Sequence, residues 1–145
     1  MDPFTAYLLL RGLATLPVRM RAMQVGAQKL AEWLTHQDGI HRVYYPGLPG
    51  QDPQGLIGTQ MDGSGAMVAF DVGTFATAAR LCSRLKLITH AVSLGSTDTL
   101  IEHPAALTHR VVEEGAQPGE GILRISVGLE DPADLTADIG HALQR

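Results

Sequence analysis

Cysteine is almost missing from this sequence. Cys82 stands alone, so no intramolecular disulfide can form, a state that fits a reducing cytoplasm. Basic residues are too few to outweigh the acidic ones. The net charge of −4 speaks against a nucleic-acid-binding or anionic-membrane surface. Long apolar runs are absent as well. The early patch Tyr7-Leu8-Leu9-Leu10 is broken by Arg11, too soon to span a membrane, and no basic-then-apolar leader opens the chain. The six histidines, His36, His41, His90, His103, His109 and His141, form no His-x-x-x-His pair, and there is no Cys-x-x-Cys, so no metal motif is present. Ser93 lacks the Gly-x-Ser-x-Gly surroundings of a hydrolase nucleophile. Internal repeats and low-complexity tracts are lacking too.

What remains is the composition of a globular chain. Of its 145 residues, 45 % are hydrophobic and 18 % charged, enough for one domain with a modest core. Asp2-Pro3 reads as an N-cap followed by a first-turn proline, opening a helical stretch to about Thr35 that Gly12 and Pro17 should kink or split. Its second half carries Met20, Val25, Leu30, Trp33 and Leu34 at mixed helical spacing. Strands are expected at Ile40 to Tyr45, Ala66 to Val72, Ile88 to Ser93 and Ile122 to Val127. Pro46 to Gly65 and Gly95 to Gly121 read as loops, and loops of that length tend to be functional. A helix should run from Thr74 to about Leu85 with Phe75, Ala78, Ala79 and Cys82 on one face. Asp131-Pro132 caps a last helix whose apolar face is Leu135, Ile139, Ala142 and Leu143. The expected fold is α+β: a small antiparallel or mixed sheet of about four strands, helices packed on one face, and a long kinked helix in front. The chain divides into that helix, residues 1–35, and a domain of residues 36–145.

Arg124 is the most informative residue. It sits in the apolar strand Ile122-Leu123-Arg124-Ile125-Ser126-Val127, where alternation puts Ile122, Arg124 and Ser126 on one face. A guanidinium stays charged and is costly to bury without an anion, and the strand supplies none. Its fork matches a carboxylate, so a bound carboxylate is a natural partner. The alternatives are an exposed edge or a distant Asp or Glu.

The surrounding motifs resemble the Cys/Met-metabolism family of pyridoxal-phosphate enzymes, which includes cystathionine γ-synthase, cystathionine γ-lyase, methionine γ-lyase and O-acetylhomoserine sulfhydrylase. The matching residues are Ser93-Leu94-Gly95, Leu100, His103-Pro104-Ala105, Thr108-His109 and Leu123-Arg124-Ile125-Ser126-Val127-Gly128-Leu129-Glu130. Leu10-Arg11-Gly12-Leu13-Ala14-Thr15-Leu16 and Val43-Tyr44-Tyr45-Pro46-Gly47-Leu48 extend the resemblance over nearly the whole chain. The resemblance implies that this is a C-terminal domain whose Arg124 clamps the α-carboxylate of an amino-acid substrate in sulfur amino-acid metabolism. It implies that Ser93 helps hold that carboxylate region and that Thr108 lines the pocket, with His109 structural. Val92 stands where cystathionine-handling members carry Glu and methionine γ-lyase-like members carry Val. Asp98 replaces a frequent Glu, and Leu107-Thr108-His109-Arg110 replaces a common Met-Thr-His-Ser.

The family's Schiff-base lysine lies in a Ser-x-Thr-Lys motif, which this sequence does not contain. Its only lysines are Lys29 and Lys86. The resemblance therefore implies a lyase or transferase part that is inactive alone, binds no pyridoxal phosphate by itself and needs a separate large cofactor-binding domain. Phe4, Leu8, Leu9 and Leu13 would face that domain or a second copy of the chain. The alternative is a non-catalytic stand-alone or split-gene interaction domain.

Overall fold

The computed structural model describes residues 1–107 and 119–144, so Thr108 and His109 lie outside the described residues. Helix α1 spans Pro3–Leu13, and α2 spans Leu16–Leu34. The Asp2 carboxylate caps α1 by accepting from the Phe4 and Thr5 backbone N–H groups at 3.1 and 3.0 Å. The chain splits between α1 and α2 at Ala14 and Thr15. Pro17 falls in the first turn of α2, where its missing N–H costs nothing. Helix α1 buries none of its residues. The buried stripe of α2 is Met23, Ala27, Leu30, Ala31 and Leu34, while Met20 and Val25 point outward. Small residues on that stripe let the helix lie close. A Cβ on Gly26 would sit 3.3 Å from Val127 Cγ1.

Five strands form one sheet in the order β1 (Arg42–Tyr44), β2 (Met67–Asp71), β5 (Ile122–Ser126), β4 (Leu100–Glu102) and β3 (Thr89–His90). All neighbours are antiparallel except β3 and β4, which run parallel. Two corrections to the sequence reading follow. Strand β4 and the short helix α4 (Pro104–Leu107) lie inside the stretch read as irregular. Strand β3 is shorter than expected: its last ladder bond runs from the Ala91 N–H to the Ile101 carbonyl, 3.0 Å, which leaves Val92 and Ser93 beyond the sheet.

Alternation divides the sheet into two unlike faces. Val43, Val68, Phe70, Ile101, Leu123 and Ile125 point to one side and are buried there with α2, α3 (Phe75–Arg84) and α5 (Pro132–Leu143). On α3 the buried residues are Ala78, Leu81 and Cys82. Phe75 instead stays partly exposed and packs on His103, with ring centroids 4.7 Å apart. On α5 the expected face is Leu135, Ile139, Ala142 and Leu143; the first three are buried and Leu143 is partly buried against the core. The other side of the sheet carries Tyr44, Ala69, Arg124 and Glu102 in one row, with Arg124 partly exposed and Glu102 buried.

One acidic residue holds the turn after α3. Asp138, buried on α5, accepts from the N–H groups of Lys86, Leu87 and Ile88 at 2.9, 3.0 and 2.9 Å. Three backbone donors converging on one carboxylate leave a large deficit if it is removed. Asp138→Ala should lower unfolding stability by about 3 kcal/mol, read as a shifted denaturation midpoint at unchanged slope.

Candidate functional site: the open face of the sheet

The site is built on β5. Arg124 stands on the open face opposite Ala69 of β2 and opposite Glu102 of β4. Its guanidinium Nη2 forms a salt bridge with the Glu102 carboxylate. Arg124 is 34 % exposed and Glu102 only 2 %. The anion that strand β5 lacks lies one strand over, the distant acidic partner that the sequence left open, and it is invisible until β4 is known to be a strand. Burial alone therefore does not demand a ligand. Arg124 nonetheless keeps a third of its side chain open, with further N–H donors besides the one given to Glu102.

Two residues beyond Arg124 on the same face, Ser126 accepts from the Gly95 N–H at 3.0 Å. That bond ties down the segment carrying Val92, Ser93 and Leu94, all exposed beyond the end of β3. Gly95 has φ +78°, a conformation that glycine adopts without strain. The far end of the segment is clasped more strongly. The Thr99 hydroxyl donates to Glu130 Oε2 at 2.6 Å, its N–H donates to Oε1 at 2.7 Å, and its oxygen accepts from the Gly128 N–H at 2.8 Å. A Cβ on Gly128 would lie 2.3 Å from the Thr97 carbonyl oxygen, so no other residue fits there without moving that backbone. Ser126, Gly128 and Glu130 thus serve the segment that holds Ser93 and Val92. The Gly95–Ser126 bond joins the Ser93 segment to the strand that carries Arg124.

Lysine is missing from this face. Lys29 is exposed on α2. Lys86 follows α3, its backbone N–H held by Asp138 on the helical side. A lysine that could form a Schiff base with pyridoxal phosphate is therefore lacking beside Arg124 among the described residues. Burial pushes the Cys82 thiol up to about 11, so it remains protonated and unreactive at neutral pH. Among the described residues no group of three His, Cys, Asp or Glu could hold a metal ion, and no helix is long and apolar enough to cross a membrane. A cavity of about 600 Å³ is lined by Trp33, His36 and His141 near the ends of α2 and α5, and Arg124 is not part of its lining.

Sequence reasoning missed Glu102 and Thr99. Both sit in a stretch whose polar, turn-rich composition masks a three-residue strand. The signal that could have found them is the spacing of Leu100 and Ile101 between two polar residues, too short to stand out. Thr99→Val keeps the shape and removes the hydroxyl that joins Glu130 to Gly128. It should cost about 1–3 kcal/mol of stability, measured by denaturant unfolding, because a buried N–H and a carboxylate oxygen each lose a partner.

Residues 1–144 match the family described as Cys/Met metabolism PLP-dependent enzyme. The chain is 54 % identical over 144 residues to the L-methionine gamma-lyase of Brevibacterium sandarakinum, covering 99 % of this chain and 37 % of that enzyme. It is 43 % identical over 148 residues to the O-succinylhomoserine sulfhydrylase of Pseudomonas aeruginosa, again covering 99 % of this chain and 37 % of the relative. The crystal structure of metB from Corynebacterium glutamicum is similar at a TM-score of 0.89 and 39 % identity, covering 97 % of this chain and 37 % of that one. The chain thus spans a little over a third of the length of these relatives.

Proposed function

This chain belongs to the Cys/Met metabolism PLP-dependent enzyme family, and on that premise we propose that it is the C-terminal, substrate-carboxylate-binding domain of a lyase or transferase of sulfur amino acids. The observation that carries this reading is Arg124, rooted in the central strand of the sheet yet one-third exposed. A fork held on a rigid strand suits bidentate grip of a planar carboxylate. In this reading Arg124 binds the α-carboxylate, and Ser93, on the segment tied to Ser126, lines the same region. Val92 offers an apolar side chain where a distal thioether would lie. Thr108, which the family resemblance assigns to the same pocket, lies outside the described residues. Because no lysine stands near Arg124, the cofactor-bearing region comes from elsewhere in the assembled enzyme, and the chain alone is inactive.

The partner surface in this reading is α1. Phe4, Tyr7, Leu8, Leu9, Leu10 and Leu13 are all exposed, a concentration of apolar side chains unusual for a surface helix. That face fits the remaining region of the enzyme, with self-association of the chain as the second reading. Leu9→Asp should weaken assembly with the remaining region of the Brevibacterium enzyme, read by sedimentation. If only homodimers are lost and no mixed complex ever forms, the stand-alone interaction reading gains.

Activity tests the clamp. The isolated chain should turn over no methionine, and its complex with the remaining region of the Brevibacterium enzyme should. In that complex Arg124→Lys should raise KM strongly, since an ammonium lacks the fork. Arg124→Ala should cost ~2–5 kcal/mol in kcat/KM. Arg124→Ala also leaves Glu102 buried without this cation, so its folding is checked by circular dichroism. Wild-type kinetics in folded Arg124→Ala would sink the assignment.

A further inference from the structure

The reading of Arg124 as a clamp leaves Glu102 without a role. Arginine is a long side chain with much rotamer freedom, and a fork that must meet a carboxylate in one orientation loses affinity if it wanders. Glu102 is placed to stop that. It is paired directly opposite Arg124 in the β4–β5 register, is 2 % exposed, and engages one terminal nitrogen of the guanidinium. Its own backbone is firmly seated. The next residue, His103, is buried, with Nε2 2.7 Å from the Glu120 carbonyl oxygen and its ring packed on Phe75. Pro104 after it is buried too, so the carboxylate sits at the rigid end of a short central strand rather than on a loop.

Resting on the clamp reading above, we propose that Glu102 is the positioning residue of Arg124. It fixes the guanidinium by Nη2 so that its other donors are presented on the open face, and it takes no part in bonding the substrate. The arrangement has two consequences. Ordering of the fork is completed on folding, before any ligand arrives. And because the pair is neutral as it stands, attraction for stray anions is reduced, so a carboxylate is held chiefly by geometry.

The two consequences separate Glu102→Ala from Glu102→Gln. An amide oxygen can still accept from Nη2, so Gln keeps most of the positioning while removing the charge. Ala removes both. In the complex with the remaining region of the Brevibacterium enzyme, Glu102→Ala should raise KM for methionine about tenfold with kcat within about twofold. Glu102→Gln should stay within about threefold of wild type. Methioninamide, which has no carboxylate, should show no change with either variant. In the 145-residue chain alone, nitrogen-15 spectra should show hindered rotation of the Arg124 terminal nitrogens that Glu102→Ala abolishes. That readout needs neither cofactor nor turnover. Equal effects of Ala and Gln, or freely rotating Arg124 nitrogens in the wild-type chain, overturn the proposal. If Arg124→Ala raises KM but Glu102→Ala does not, positioning fails and the clamp stands. If Arg124→Ala leaves KM unchanged, the clamp itself fails, whatever the spectra show.

Discussion

Everything in this domain hangs on the two-residue alternation of β5. Leu123 and Ile125 point into a dry layer with α2, α3 and α5, while Arg124 and Ser126 point the opposite way. Because β2 and β4 pair with it on either side, β5 cannot slip by one residue without driving a guanidinium into that layer. The hydrophobic effect that fixes the register therefore also fixes where the arginine stands. Specific packing and the candidate site are two faces of one constraint.

The segment after β3 gains its shape from polar bonds rather than from burial. Its near end is held by Ser126 and its far end by the Thr99–Glu130–Gly128 clasp, all three anchors coming from the end of β5 or just beyond it. Val92, Ser93 and Leu94 lie between the ladder bond of Ala91 and the tie at Gly95, and remain exposed. A loop fastened at both ends to the strand that carries Arg124 keeps its side chains near that arginine without needing a core of its own. This is the usual economy of a binding loop on a rigid scaffold.

The two ends of the molecule are built on different terms. Residues from Met23 onward contribute to a layered, well-satisfied domain in which even an interior carboxylate, Asp138, has three donors. Helix α1, in contrast, is capped and regular but buries nothing. Local capping by Asp2 and leucine-rich composition suffice to form it, and its apolar side chains wait for a surface outside the described fold.

Much of this was legible from the residues themselves. The α+β class, the cap at Asp131, the apolar face of α5 and the two-faced strand around Arg124 follow from local periodicity, which is strong when an element is long and amphipathic. The motifs carried the family resemblance because they record backbone demands such as the close approach at Gly128. Tertiary structure alone decided the rest. Strand β4 has three residues and becomes a strand only because β5 and β3 flank it, so its Glu102 could not be read as the partner of Arg124 from sequence. The inward side of α2, Met23 and Ala27 rather than Met20 and Val25, depended on how the helix docks, since both stripes are apolar. Composition and spacing set which of the longer elements form. Which side chains meet across them was settled by the pairing order of the sheet, a long-range property that local pattern does not encode.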